Sequence, residues 1–455
     1  MDERRNNQYD PWEYGVYETG RTRPPKNHGG LVAVLLVIVA AASVFFKNRM
    51  ELVTPVIFPA CAVVTLIAGV GLRFREIVEG PFAYLDSSMQ VLCGAAFCYL
   101  MYKNGTFDYI FGKIIAKKRG AVLQLMLLVL FVGLPGMLTG SALVSVATTG
   151  MIVGNYLIGK GMDEAEVVEV VAVGALIGMV MPPLCIPAMQ PIIGRFSLDP
   201  GTFEGFFLPC LLVGLVLLVV YSAVAGKRVM TGIEFDAEQK AGSALCLIPL
   251  AVVFVLVICH NFLYTVVPFL GYPLIYCIGF ILATVCKAEK ANPMQAACDG
   301  IRAAAPETAL LISFGCVVEI LRFVGTTGTL SGYFLLTGAD ITLYSLAFLA
   351  AIAVLGCAFG PAMSVCIGGA ATYIISRGVA STGRGIAMFA IGMMFCAAYC
   401  CAVRGSLVEQ TAEGLEVPKE AGRLAWKRTL LCGVILMVLS AGLFVARDAL
   451  AMLMI

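Results

Sequence analysis

Apolar residues in this chain fall in long unbroken blocks separated by short charged stretches, a pattern far coarser than the alternation of a half-buried strand or the stripe of an amphipathic helix. A helix crossing a bilayer needs about 20 such residues. In the first half, blocks at 31–46, 55–72, 87–102, 165–193 and 206–225 predict crossings. In the second half, blocks at 244–259, 272–286, 308–324, 385–403 and 430–445 do the same. Two further blocks, 121–158 and 341–376, are too long for one simple crossing. Leu134-Pro135-Gly136 and Thr139-Gly140-Ser141 interrupt the first, and Gly360-Pro361 interrupts the second. Glycine opens φ and proline withholds a donor, so both blocks predict re-entrant hairpins that return to the side they entered.

The two halves repeat each other. The stretch 47–59 (KNRMELVTPVIFP) has a degenerate copy at 260–273 (HNFLYTVVPFLGYP), with Asn48 matching Asn261 and Pro55 matching Pro268. Glu79-Gly80 then matches Asp299-Gly300, Asp86 matches Glu307, and Gly105-Thr106 matches Gly325-Thr326. The segment 139–161 aligns with 359–378, and the offset stays at 213–221 residues throughout. Each match is weak alone, but their shared order and offset are hard to obtain by chance. Five crossings plus one hairpin is an odd number, so the second half must run inverted relative to the first. Lys/Arg placement agrees. The segment after the third crossing carries Lys103, Lys113, Lys117, Lys118 and Arg119, whereas its mate, 325–340, carries none. The expected fold is therefore an all-α polytopic membrane protein of two inverted-topology repeats. Residues 31–226 and 244–446 form the repeats, 227–243 a linker, and 1–30 and 447–455 the tails. Duplicated bundles of this kind alternate access around a site between their repeats.

Composition sharpens the class. Of 455 residues, 60% are hydrophobic and 13% charged, against about 25% charged in soluble domains, and mean hydropathy is +0.92. Net charge is +2, and nothing is basic enough to suggest nucleic acid as a partner. The 17 cysteines are scattered without a C-x-x-C, and only His28 and His260 are present, which argues against zinc or a disulfide framework. The first 30 residues balance basic and acidic side chains and read as a disordered tail. The block after them imitates a signal peptide, with Ala40-Ala41-Ala42 as its small-residue end. Its repeat mate at 244–259 marks it as an uncleaved span instead.

Candidate chemistry collects at the breaks. Thr139-Gly140-Ser141, continuing to Ser145, Thr148 and Thr149, puts hydroxyls at a hairpin tip where broken helix ends expose carbonyls and amides. Such groups can surround a small cation or attract a carboxylate; small residues of this kind also serve close helix packing. Gly360-Pro361 with Ser364 and Thr372 is the repeat mate. The tandem prolines of Met181-Pro182-Pro183 remove two consecutive donors and unwind a helix, making either a second wall of the site or an ordinary kink. Glu319 and Arg322 are spaced to pair on one helix face. Asp86, Glu307, Glu166 and Glu169 are expected at helix starts, satisfying helix dipoles. No G-x-x-x-x-G-K-[ST] and no H-E-x-x-H occurs, so neither a nucleotide-driven pump nor an enzyme is expected, and no cofactor beyond a coupling ion.

The run LPGMLTGSALVSVATTG at 134–150, followed by VAVGALIGMVMPPLCIPAM at 171–189, resembles the first-half pattern of the large membrane subunit of tripartite ATP-independent periplasmic (TRAP) transporters, over roughly 31–445. The resemblance implies an elevator mechanism in the inner (plasma) membrane, with sodium coupling and import of small organic anions such as dicarboxylates or sialic acid. It also implies a small four-span membrane subunit and an extracytoplasmic solute-binding protein as partners. By position it points to Thr139, Gly140, Ser141, Pro182, Gly360 and Pro361 as cation-site candidates, with Ser145, Thr148, Pro183, Ser364 and Arg404 toward the solute. The pattern departs at YCCAV (399–403), where the family carries a second proline pair, and at Leu184, where it carries serine. A proton-coupled or stand-alone carrier, an ion channel and a non-transporting scaffold are the alternatives.

Overall fold

The structure is a computed structural model describing residues 54–67, 74–82, 85–117, 119–181, 201–230, 244–262, 270–286, 291–323 and 407–446. The crossings expected at 31–46 and 385–403, the hairpin at 341–376 and both tails lie outside these residues. Among the described residues every regular element is helical. In chain order these are α1 (Thr54–Ile67), α2 (Phe74–Phe82), α3 (Leu85–Lys103), α4 (Thr106–Ile115), α5 (Ala121–Thr139) and α6 (Ala142–Gly159). After them come α7 (Glu164–Val180), α8 (Gly201–Met230), α9 (Ile248–Phe262), α10 (Tyr272–Val285), α11 (Pro293–Phe323), α12 (Leu407–Gly414) and α13 (Lys419–Val445).

Many outward-facing positions are apolar. Ile67, Val224, Ile281, Val285, Leu431 and Val438 are all exposed, and such a belt suits lipid rather than water. The α5 and α6 arms are each long and apolar enough to cross a membrane.

Helices meet where side chains are small. Gly133 on α5 lies against Gly174 and Gly178 on α7, and Gly136 against Gly178 and Met179, so the two helices approach backbone to backbone. Elsewhere, a β-carbon at Gly80 of α2 would sit 2.5 Å from the Gly315 carbonyl oxygen of α11, and one at Gly300 of α11 would sit 2.6 Å from the Ala95 carbonyl oxygen of α3. Moving forward from Gly80 to Ala95 is matched by moving back from Gly315 to Gly300. The α2–α3 segment and α11 therefore pack antiparallel. Gly80 and Gly300 are mates in the sequence repeat, and Ala95 and Gly315 stand at the same offset.

One end of the bundle is charged. Gly226 near the end of α8 packs on Val122 at the start of α5, and Gly154 of α6 packs on Leu415 after α12. Asn104, just past α3, donates to the Ala283 carbonyl near the end of α10 at 2.7 Å. Arg228 and Arg428 meet at Glu169, and Lys227 and Arg228 follow Gly226 where it packs on the α5 start just after Arg119, so these cations share one pole.

Within 103–120, Thr106–Ile115 form α4, whose Phe107 and Phe111 pack against Phe131 of α5. Two sequence expectations need correction here. Glu307 does not start a helix: α11 runs unbroken from Pro293 to Phe323, through Pro306. Pro135 and Gly136 do not break the first hairpin either, since both lie inside α5.

Candidate functional site

The first hairpin turns at Gly140 and Ser141 alone. Gly140 caps α5 in the left-handed conformation (φ 71°) that glycine adopts without strain, and its N–H donates to the Gly136 carbonyl at 2.6 Å. Ser141 then starts α6 as its N-cap, its hydroxyl oxygen accepting from the Val144 N–H at 3.3 Å.

The facing arm explains why α5 survives Pro135. A helical proline disturbs the ladder around it, and in a membrane the freed groups need other partners. The Gly136 N–H donates to Ser145 Oγ at 2.7 Å, and the Thr149 hydroxyl donates to the Val132 carbonyl at 2.9 Å. Gly136 N–H and Val132 C=O are the two groups a regular helix would join to each other. Both are engaged across the hairpin, by residues one helical turn apart on α6. Residues Val146–Gly150 of that arm form a π-helical turn, a distortion often found at functional sites.

All five hydroxyl residues of the tip region, Thr139, Ser141, Ser145, Thr148 and Thr149, are fully buried. The Thr139 hydroxyl donates to the Pro135 carbonyl at 2.8 Å while accepting from the Ser141 N–H at 3.1 Å. Thr148 donates to the Val144 carbonyl at 2.6 Å. Because these protons go to backbone carbonyls, the oxygens keep lone pairs available to another electrophile. Tyr276 of α10 closes over the tip by donating its hydroxyl to the Leu138 carbonyl, and its ring stacks on Phe97 of α3, centroids 6.3 Å apart.

Met181 is extended (φ −77°, ψ 143°), so α7 ends at Val180. Extended backbone is what a following proline demands. Pro182, Pro183, Gly360, Pro361, Ser364 and Arg404 lie outside the described residues, so of the candidates only Thr139, Gly140, Ser141, Ser145 and Thr148 are seen together, all on one hairpin. The side chains of Asp86, Glu307 and Arg322 are likewise outside the description. Among the described residues no group of three or more His, Cys, Asp or Glu is placed to hold a metal ion.

Sequence reasoning missed a second polar centre. Glu169 was expected merely to favour the α7 dipole, yet it is buried (3% exposed) and bridged from two other helices. Arg228 Nη2 of α8 lies 2.7 Å from its Oε1, and Arg428 Nη1 of α13 lies 2.9 Å from its Oε2. The Tyr221 hydroxyl adds a donor at 3.3 Å, and Glu166 stands 3.5 Å from Arg228 and 3.8 Å from Arg428. The hydrogen bond to Glu169 holds the Arg428 guanidinium above its ordinary pKa. Helix propensity alone hides such a cluster; the available signal was one arginine at the charged end of each half's final helix.

Two solved structures share this architecture. The YdaH transporter of Alcanivorax borkumensis, described as having an unusual topology, superposes with a TM-score of 0.59 at 11% identity, over 88% of this chain and 98% of its own. The fold is that of known transporters. MtrF of Neisseria gonorrhoeae, from a class of antimetabolite efflux pumps, superposes with a TM-score of 0.54 at 12% identity, over 92% of this chain and 94% of its own. Both neighbours are transporters, not enzymes. No family model and no curated protein matches the sequence.

Proposed function

We propose that this protein is a secondary transporter of the inner (plasma) membrane, crossing it many times, that couples movement of a small organic anion to sodium. The observation that carries the reading is the hairpin tip: a left-handed Gly140 with buried, lone-pair-bearing oxygens of Thr139, Ser141, Ser145 and Thr148, inside a fold shared with transporters. Hydroxyl and carbonyl oxygens suit a hard monovalent cation, and residues 139–149 include no acid, base or histidine that would favour a proton.

The antiparallel packing of Gly80 on Gly315 and of Ala95 on Gly300 supports the inverted-repeat layout, since mates exchange partners as they would about a two-fold axis lying across the helices. The charged pole is cytoplasmic by the positive-inside rule. In an elevator cycle, the hairpins and the broken helices after them would carry the solute while the remaining helices stay fixed.

Uptake into proteoliposomes under an imposed sodium gradient tests the coupling. Accumulation indifferent to sodium and driven by a pH gradient overturns it in favour of a proton-coupled carrier. Export is the second reading, favoured by the likeness to MtrF, a member of a class of antimetabolite efflux pumps. Measuring flux in both orientations separates the two. The TRAP-like assembly adds a four-span subunit and a solute-binding protein, and transport by the purified chain alone would leave no role for either.

A further inference from the structure

We propose that Gln90 is a solute-contacting residue of the hairpin-tip site, pairing through its amide N–H with the carboxylate of the transported anion. The inference rests on the transporter reading above and adds to it a residue on a different helix. Gln90 is fully buried in α3, and neither its Nε2 nor its Oε1 has a hydrogen-bond partner. Leaving a buried polar group unpaired is costly, so such a side chain points to a partner absent from this state.

Its position says where that partner sits. Gly94 lies one turn further along α3, on the same face. A β-carbon at Gly94 would stand 2.9 Å from Thr139 Cγ2 and 3.3 Å from the Tyr276 ring. Phe97, on the same stripe, stacks on Tyr276. That stripe of α3 therefore faces the hairpin tip and its tyrosine cover. Beyond Gly94, α3 leads on to Phe107, which packs on Phe131, two turns back along α5 from Thr139. Gln90, a turn to the other side of Gly94, thus stands just past the turn at Gly140.

The chemistry is complementary to the tip. Thr139, Ser141 and Ser145 supply oxygens suited to a cation, whereas a glutamine amide supplies two N–H donors and one carbonyl. A carboxylate held between them would take its counter-ion from the hairpin and its hydrogen bond from Gln90. Gln124 also has an unpaired amide, but it sits at the base of α5, remote from the turn.

The test uses Gln90→Leu, close in volume but without polar atoms, in proteoliposomes with succinate as probe. Loss of a hydrogen bond to a charged group should raise the KM for succinate about tenfold, with the sodium titration unchanged and thermal stability equal or higher. A variant that gains stability and keeps the wild-type KM overturns the proposal. Should the wild-type protein take up no succinate, the solute class of the transporter reading fails, and Gln90→Cys decides this inference separately. N-ethylmaleimide modification in native membranes, located by mass spectrometry, is expected at position 90 because a solute site opens to water during the cycle. Absence of modification there, while exposed Cys298 reacts, overturns it.

Discussion

Gly80 and Gly315 touch backbone to backbone: a β-carbon on Gly80 would come within 2.5 Å of the Gly315 carbonyl oxygen, 2.7 Å of its carbonyl carbon and 2.8 Å of the Cys316 Cα. All three are main-chain atoms and cannot rotate away. Gly80→Ala should therefore destabilise the purified protein by about 1–3 kcal/mol, the usual range for overpacking a tight contact. Gly300→Ala, which meets the Ala95 backbone in the counterpart contact, should do the same. Thermal unfolding in detergent measures both, and an unchanged midpoint for either would mean that the two helices are free to separate.

Glu169 ties α7 to α8 and α13. Removing one partner of a buried ion pair typically costs 3–5 kcal/mol, but both arginines are partly solvated, so Glu169→Gln should cost about 2 kcal/mol. Arg228→Met and Arg428→Met should each cost less than the loss of the shared carboxylate. A double-mutant cycle between Glu169 and Arg428 reads the coupling directly, and additive effects would show that the bridge contributes nothing.

Across the hairpin, Ser145→Ala removes the partner of the buried Gly136 N–H and should destabilise by about 1–3 kcal/mol. Thr149→Val keeps the shape and removes the hydroxyl that donates to the Val132 and Ser145 carbonyls, so about 1 kcal/mol is expected. Denaturant or thermal titration ranks the pair; equal stability of both variants with the wild type would show that α5 tolerates Pro135 without help from α6.

Ser141→Ala separates two roles of one oxygen. As N-cap of α6 it should lower stability by about 1 kcal/mol. As a cation ligand it should also weaken apparent sodium affinity about tenfold, the equivalent of 1–2 kcal/mol for a lost buried polar contact. A sodium titration of uptake that matches the wild type, alongside reduced stability, would leave only the cap.

Much of this protein is legible without coordinates because a bilayer imposes a length and an apolar composition on every crossing. The blocks at 87–102, 206–225 and 430–445 fall on observed helices, as do 55–67 of the block at 55–72 and 272–285 of the block at 272–286, and the glycine-serine pair at 140–141 marks the hairpin turn because only glycine enters the left-handed region cheaply. Local signals failed where a distant residue supplied the missing partner. Pro135 looks like a helix breaker until Ser145 and Thr149 take up the backbone groups around it. Glu169 looks like a dipole acid until Arg228 and Arg428 arrive from helices far along the chain. Gln90 is one more polar residue at the start of a span, and only packing shows it buried and unpaired. The sequence by itself determined, among the described residues, most of the segments that are helical and where one hairpin turns, since those follow from local backbone energetics and from lipid. The tertiary structure decided which polar groups are satisfied and by whom, because hydrogen bonds and ion pairs between helices depend on distances that no single segment encodes.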